Sequence, residues 1–193
     1  MEKINTLASR FALIASLTLL PVAMMGQTNS MSAGSSNGAG VSASDKKFVR
    51  EAAQGGMAEV ELGELATEKA SSPEVKKFGQ RMVDDHSKAN DQLKEVASSK
   101  GITVPDKLSA KDETTKQRLS KLSGEQFDKA YMSDMVKDHT QDVADFQRES
   151  SSGTDSDVKN FAAQTLPTLE DHLKQAKEIA PTTSASASKM GNE

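Results

Sequence analysis

Three histidines, His86, His139 and His172, are all this chain has, and each falls on the apolar stripe of a different predicted helix. Glu59 holds the same kind of position on a fourth. At about 100° of rotation per helical residue, His86 shares a face with Phe78, Met82, Ala89 and Leu93. His139 shares one with Tyr131, Met132, Met135, Val143 and Phe146, and His172 with Val158, Phe161, Leu169 and Ala176. Glu59 lies at the centre of a stripe made by Phe48, Ala52, Leu62 and Ala66. Polar residues of these types belong on a wet face unless they are paired or put to use. If the four stripes meet, the side chains converge, and imidazole with carboxylate can then hold a metal ion or handle protons. A site of Glu59, His86 and His139, with His172 or Asp142 added, suits zinc, iron or manganese. Met82 and Met135 each stand four residues before a histidine on the same face. Their thioethers would soften the donor set and favour copper. The competing reading, given equal weight, is a core in which Glu59, Asp142 or water satisfies the histidines and the methionines fill space.

Depth along the helices sharpens the expectation. Glu59, His86 and His139 each lie within about two residues of the midpoint of a predicted helix, roughly 3 Å at the helical rise. A midpoint stays at mid-height whichever way a helix runs, so these three should share a layer. His172 lies about five residues past the middle of a helix ending near residue 180 and is expected one turn out of plane. Asp85, Asp138 and Asp171, each next to a histidine, point roughly 100° away and are expected at the rim rather than against the rings.

The elements that must position these residues are well punctuated. Ser71-Ser72-Pro73-Glu74 combines capping residues with a proline in the first turn. Ser123-Gly124-Glu125-Gln126 opens the third long helix with capping-box spacing, and Thr154-Asp155 opens the fourth. Short breaks within the first and second pairs predict two antiparallel hairpins. Between them, an extended stretch from Gly101 to Pro105 and a short helix near Lys111 to Leu122 could span roughly 35–40 Å. That length crosses a whole bundle, and the fold expected is all-α: a ferritin-like four-helix bundle with one crossover carrying a short extra helix. A simple up-down bundle is the alternative. Pro167 should kink the last helix near Ala163. Two internal echoes, Met82–His86 with Met135–His139 and Val75–Phe78 with Val158–Phe161, hint at related halves.

The ends of the chain read differently. Lys3 and Arg10 precede an apolar run from Phe11 to Ala23, the pattern of a secretory signal peptide over residues 1–26. Residues 27–44 form a Ser/Gly-rich tether and 181–193 a tail of similar composition, which leaves residues 45–180 as the bundle domain. There is no cysteine, hence neither a disulfide framework nor a lipoprotein anchor. Acidic and basic residues alternate over a formal charge of −4, tryptophan is absent, and no basic stripe or stacking platform for nucleic acid exists. After removal of the leader no transmembrane segment is expected.

The segments FVREAAQGGMAEVELGELA, SSPEVKKFGQRMVDDHSKAND, FDKAYMSDMVKDH and FAAQTLPTLEDH resemble the bacterial family of unknown function numbered 4142, over nearly all of residues 45–180. The match includes Glu59, Gly63, Met82, Asp85, His86, Tyr131, Met135, His139, Leu166, Pro167 and His172. The resemblance implies an exported, ferritin-like bundle, often labelled an outer-membrane protein, with no established activity. Alternating ten-residue strands and aromatic girdles are missing, so membrane contact would be peripheral.

Three functions remain open at this stage. The favoured one is a non-catalytic protein of the periplasm or outer-membrane periphery that binds a metal ion in the bundle interior or else a partner, an envelope component, another protein or a second copy of the chain. A di-iron oxidoreductase is the second. Such enzymes use Glu-x-x-His on two helices, but Val83, Val136 and Leu169 stand three residues before the histidines here. The third is a purely structural or surface-interaction module without metal.

Overall fold

The computed structural model describes the backbone of residues 40–189 and the side chains of residues 40–180. The leader expected at 1–26 and most of the tether expected at 27–44 lie outside the described residues. What is described is all-helical, with no strand. The elements are α1 (Ala43–Lys69), α2 (Pro73–Ser99), α3 (Ala110–Ser120), α4 (Gly124–Ser152) and α5 (Ser156–Lys189). None of them is long and apolar enough to cross a membrane.

Capping side chains set most of the starts. Ser42, Ser72 and Ser109 each accept a bond from the backbone N–H three residues on, in Asp45, Val75 and Asp112. Asp155 does the same for α5 through Asp157 and Val158. Ser123 makes no such bond at the start of α4, where Gly124 takes a left-handed φ of 60°. The expected capping spacing is present there without its hydrogen bond. α5 continues past Pro167, whose missing N–H removes one rung of the ladder, and its backbone runs beyond residue 180 to Lys189.

Two apolar clusters occupy the two ends of the molecule and reveal the direction of each helix. One joins Leu62 and Ala70 of α1, Val75 and Phe78 of α2, Leu119 of α3, Phe127 and Tyr131 of α4, and Ala176 of α5. The other joins Phe48 and Val49 of α1, Leu93 and Ala97 of α2, Ile102, Phe146 of α4, and Val158 and Phe161 of α5. The chain therefore forms two antiparallel hairpins, α1–α2 and α4–α5. α2 and α4 run the same way, and the connection between Lys100 and Ser123 returns along the full length. α1 packs on α4 and α2 on α5, with α3 against α1.

The hairpins cap each other reciprocally. Asp128 near the start of α4 accepts bonds from the Ser71 and Ser72 backbones and the Ser71 hydroxyl, at the turn into α2. Asp45 near the start of α1 accepts bonds from the Thr154 and Asp155 backbones and the Thr154 hydroxyl, at the turn into α5. The same interval of 83 residues separates Asp45 from Asp128, Ser71 from Thr154, and Phe78 from Phe161. The echo between Val75–Phe78 and Val158–Phe161 thus follows the two-fold relation of the hairpins. The Met82–His86 echo with Met135–His139 does not. Asp45 is almost fully buried, and although burial alone would raise its carboxyl, the four donors around it lower it to about 2.

α1 and α2 approach closely where side chains vanish. A Cβ on Gly79 would lie 2.6 Å from the Ala66 Cβ and 2.8 Å from the Gly63 carbonyl oxygen. These are helix-body atoms that cannot swing aside, so Gly79→Ala should cost about 1–3 kcal/mol through forced separation of the hairpin. Urea denaturation checks this. An unchanged midpoint would mean the α1–α2 seam is looser than described.

Candidate metal centre

All three histidines enter one layer. His86 is the middle residue of α2, His139 lies next to the middle of α4, and His172 stands at the middle of α5. Ring centroids are 5.7 Å apart for His86 and His139, 5.4 Å for His86 and His172, and 5.3 Å for His139 and His172. One ring nitrogen from each lies within 4.8 Å of the others. The expectation that His172 sits a turn out of plane is corrected. It assumed that α5 stops near residue 180, whereas the helix runs to Lys189 and its midpoint moves accordingly. His139 and His172 have no exposed surface and His86 has 6 %.

Each ring keeps one nitrogen without a partner: Nε2 of His86, Nε2 of His139 and Nδ1 of His172. Buried polar atoms are rarely left so. The opposite nitrogens of two rings are fixed. His139 Nδ1–H donates to the Met135 carbonyl oxygen at 3.0 Å, and His172 Nε2–H donates to Asp85 Oδ2 at 2.8 Å. Carbonyl and carboxylate oxygens only accept, so both tautomers are set and a lone pair is left on His139 Nε2 and His172 Nδ1. Outer partners of this kind orient metal-binding imidazoles and raise their basicity.

Asp85 therefore orients a ring after all, though not that of its sequence neighbour His86. It reaches across to α5, which overturns the expected rim position. Arg81 holds it in place, with Nε 3.1 Å from Asp85 Oδ2 and Nη1 2.6 Å from Asp171 Oδ2. Burial alone would raise the Asp85 carboxyl, but its bonds to His172 and Arg81 outweigh burial and hold it below the usual range. Asp171 serves at one remove, through Arg81. Asp138 stays away from the rings, 3.6 Å from Lys111.

The histidines are neutral bases in this setting. Burial, together with its two histidine neighbours, pushes His86 well below its ordinary value. Burial and His172 bring His139 down to about 4. Burial also lowers His172, against the pull of Asp85. Lone pairs are thus free at neutral pH without first shedding a proton.

Glu59 and Asp142 adjoin the cluster on a different side. Together with His139 they form a second group whose candidate ligand atoms lie within 4.8 Å of one another. Glu59 Oε1 is 3.9 Å from His139 Nδ1, the nitrogen already engaged by Met135, and Glu59 Oε2 has no partner. The fully buried Tyr131 hydroxyl is unpartnered too. Burial, then Asp142, raises the Glu59 carboxyl well above its ordinary range. Burial, then Asp138 and Asp145, raises Asp142 to about 7. The five expected ligands are therefore brought together in two overlapping groups that meet at His139. Met82 and Met135 are fully buried in the adjoining apolar cluster, and Phe78 of that cluster sits edge-on to His139 and His172 at 6.4 Å from each.

Asp142 makes a pH-dependent contribution whose sign can be worked out. It ionises near 3.8 ordinarily but only near 7 in the fold. Between those values the folded state holds a proton that the unfolded chain has lost, so stability falls as pH rises. Asparagine imitates the protonated carboxyl at every pH. Metal-free Asp142→Asn should therefore melt above the wild type at pH 8 and match it near pH 4. Asp142 retains some solvent access, so the gain at pH 8 should be about 1–2 kcal/mol rather than the full value of the shift. His139 acts oppositely, losing stability as pH falls below 6.5, which is why both proteins must be compared at each pH. Thermal melts across that range decide it, and a variant less stable than the wild type at pH 8 would refute the assignment.

The site is not sealed. A cleft of about 190 Å³ between α2 and α5 reaches His86 and His172 past Lys88, Gln92, Gln164 and Thr168. An inner cavity of about 30 Å³ touches His86 and Asp142, beside Gly55 and Gly56. The first offers a path from solvent and the second is large enough for a water molecule.

No curated protein matches the chain. Solved structures do match the fold. A fragment of a DUF305 protein from Deinococcus radiodurans, 15 % identical, covers 74 % of this chain and 99 % of its own with a TM-score of 0.66. A DUF305 protein from Streptomyces coelicolor, 14 % identical, covers 73 % and 92 % with a TM-score of 0.63. The protein CopM in its Cu(I)-bound form, 16 % identical, covers 69 % and 93 % with a TM-score of 0.58. At such identities the likeness is one of fold. Over residues 30–179 the sequence also matches the model of a family described as a domain of unknown function, DUF4142. The all-helical fold with its three central histidines is thus carried by a chain that belongs to the DUF4142 family.

Proposed function

We propose that this chain is an exported, ferritin-like four-helix bundle of the bacterial envelope that holds a transition-metal ion on His86, His139 and His172, and that it is not an enzyme. One observation carries the reading: three buried rings from three helices bring one ring nitrogen each within 4.8 Å of the others, and each ring has an unpartnered nitrogen. An ion bound between the rings would give all three nitrogens a partner at once. Copper(I) is favoured over zinc. Imidazole suits either, but buried thioethers one turn away at Met82 and Met135 incline the donor set to the softer ion, and CopM, of similar fold, is a Cu(I)-bound protein. Export rests on the charged and apolar pattern of residues 1–26, which belongs to a leader.

The oxidoreductase alternative has less support. The positions three residues before the histidines carry Val83, Val136 and Leu169 where di-iron enzymes carry glutamate. A structural module without metal needs water, entering by the cleft between α2 and α5, to satisfy the three nitrogens. To test the reading, metal-free full-length chain is titrated with Cu(I) against a chromophoric chelator, and with Zn(II) by calorimetry. The expected result is one Cu(I) per chain at the histidines, lost in His86→Leu. Oxygen consumption on loading with Fe(II) would favour the oxidoreductase instead, and no binding of any ion would leave the structural module.

A further inference from the structure

Glu59 and Asp142 occupy equivalent places in the two hairpins. They are separated by the same 83 residues that relate Asp45 to Asp128 and Phe78 to Phe161, and they project from α1 and α4, which pack on each other. Two carboxyls whose oxygens come within 4.8 Å in a largely buried layer repel each other unless a positive charge joins them. Among the described residues, no lysine or arginine bonds to either. Arg81 is engaged with Asp85 and Asp171, Lys111 with Asp138 and Lys116 with Glu61. Glu59 is 4 % exposed and its Oε2 has no hydrogen-bond partner, and the buried Tyr131 hydroxyl has none. The cavity beside Asp142 has room for a water to complete a coordination shell.

The chemistry here differs from that of the histidine cluster. The His139 nitrogen 3.9 Å from Glu59 is Nδ1, which is committed to the Met135 carbonyl, so the donors that the two carboxyls themselves offer are oxygens. Oxygen donors with water suit hard divalent ions rather than copper(I). We infer that Glu59 and Asp142 form a second cation site, separate from the three histidines, that takes a hard divalent ion such as Mn(II). His139 is the wall between the two sites, and the protein so loaded carries two chemically unlike ions in one interior. The inference rests on the histidine reading only in placing that wall, and it stands or fails by itself.

The test is a titration of metal-free full-length chain with Mn(II), read by the loss of the free-ion paramagnetic resonance signal and by the melting temperature. Wild type should bind one Mn(II) per chain and melt higher. His86→Leu should bind it equally. Asp142→Asn and Glu59→Gln should each lose it at least tenfold while keeping the Cu(I) stoichiometry of the wild type. Both amide variants imitate the protonated acid, and a cooperative melt without metal shows that they fold. No Mn(II) uptake by the wild type, or equal uptake by Asp142→Asn, overturns the second site and leaves the histidine reading intact. Loss of Mn(II) in His86→Leu also overturns it, in favour of one mixed centre. Failure of the wild type to bind Cu(I), with Mn(II) bound normally, would overturn the histidine reading and leave this one standing.

Discussion

His139→Leu should abolish the rise in melting temperature that Cu(I) or Zn(II) produces in the metal-free chain. At free metal one hundred times the dissociation constant, that rise represents about 2.7 kcal/mol. His86→Leu and His172→Leu should do the same. All three rings lie within one cluster, at centroid separations of 5.3 to 5.7 Å, so none is peripheral. Without metal the outcome separates ligand from core residue. Replacing a buried ring with an apolar side chain of similar bulk removes an orphaned nitrogen as well as a ring, and such exchanges can be nearly neutral. The metal-free variant should melt within a few degrees of the wild type while ignoring metal. A variant that still responds to both ions would show that the ring is core filling.

Phe78→Ala should be the most damaging single change in the core, at about 3–5 kcal/mol. The ring is 2 % exposed and stands edge-on to Tyr131 at 6.3 Å, besides its contacts with His139 and His172. Deleting it opens a cavity directly beneath the histidines, so metal affinity should fall together with stability. Its two-fold counterpart Phe161 packs on Phe146 at 6.0 Å in the other apolar cluster. Phe161→Ala should therefore cost similar stability yet leave the metal-induced shift in place. Chemical denaturation with and without Zn(II) reads both quantities. Equal loss of the metal response in the two variants would mean that the site tracks global stability rather than the floor beneath it.

Much of this was legible from residue spacing, and the parts that were not have physical reasons. Stripe positions identified the three histidines, Glu59 and Asp142 because helical periodicity determines which way a side chain faces. The hairpins and the long return between them could be read because Ser72, Pro73 and Asp155 mark helix starts strongly. The depth of His172 was misjudged because the composition after residue 180 reads as a tail that ends the helix, whereas the backbone of α5 runs on to Lys189. Asp85 escaped because its partner is on another helix, and intrahelical angles say nothing of contacts across a groove. The caps made by Asp45 and Asp128 also join elements far apart in sequence. A signal for them did exist, in the 83-residue interval shared with Val75–Phe78 and Val158–Phe161. Grouping Glu59 with all three histidines was too coarse, since only His139 lies beside it.

X-ray absorption at the copper edge of the Cu(I)-loaded full-length chain tests the central claim most directly. The account predicts a first shell dominated by imidazole nitrogen at about 2.0 Å, the distance usual for histidine bound to such ions, with the ring scattering that three histidines produce. A longer sulfur distance from Met82 or Met135 would be compatible as an addition. A shell without imidazole, or an ion lost on gel filtration, would contradict it.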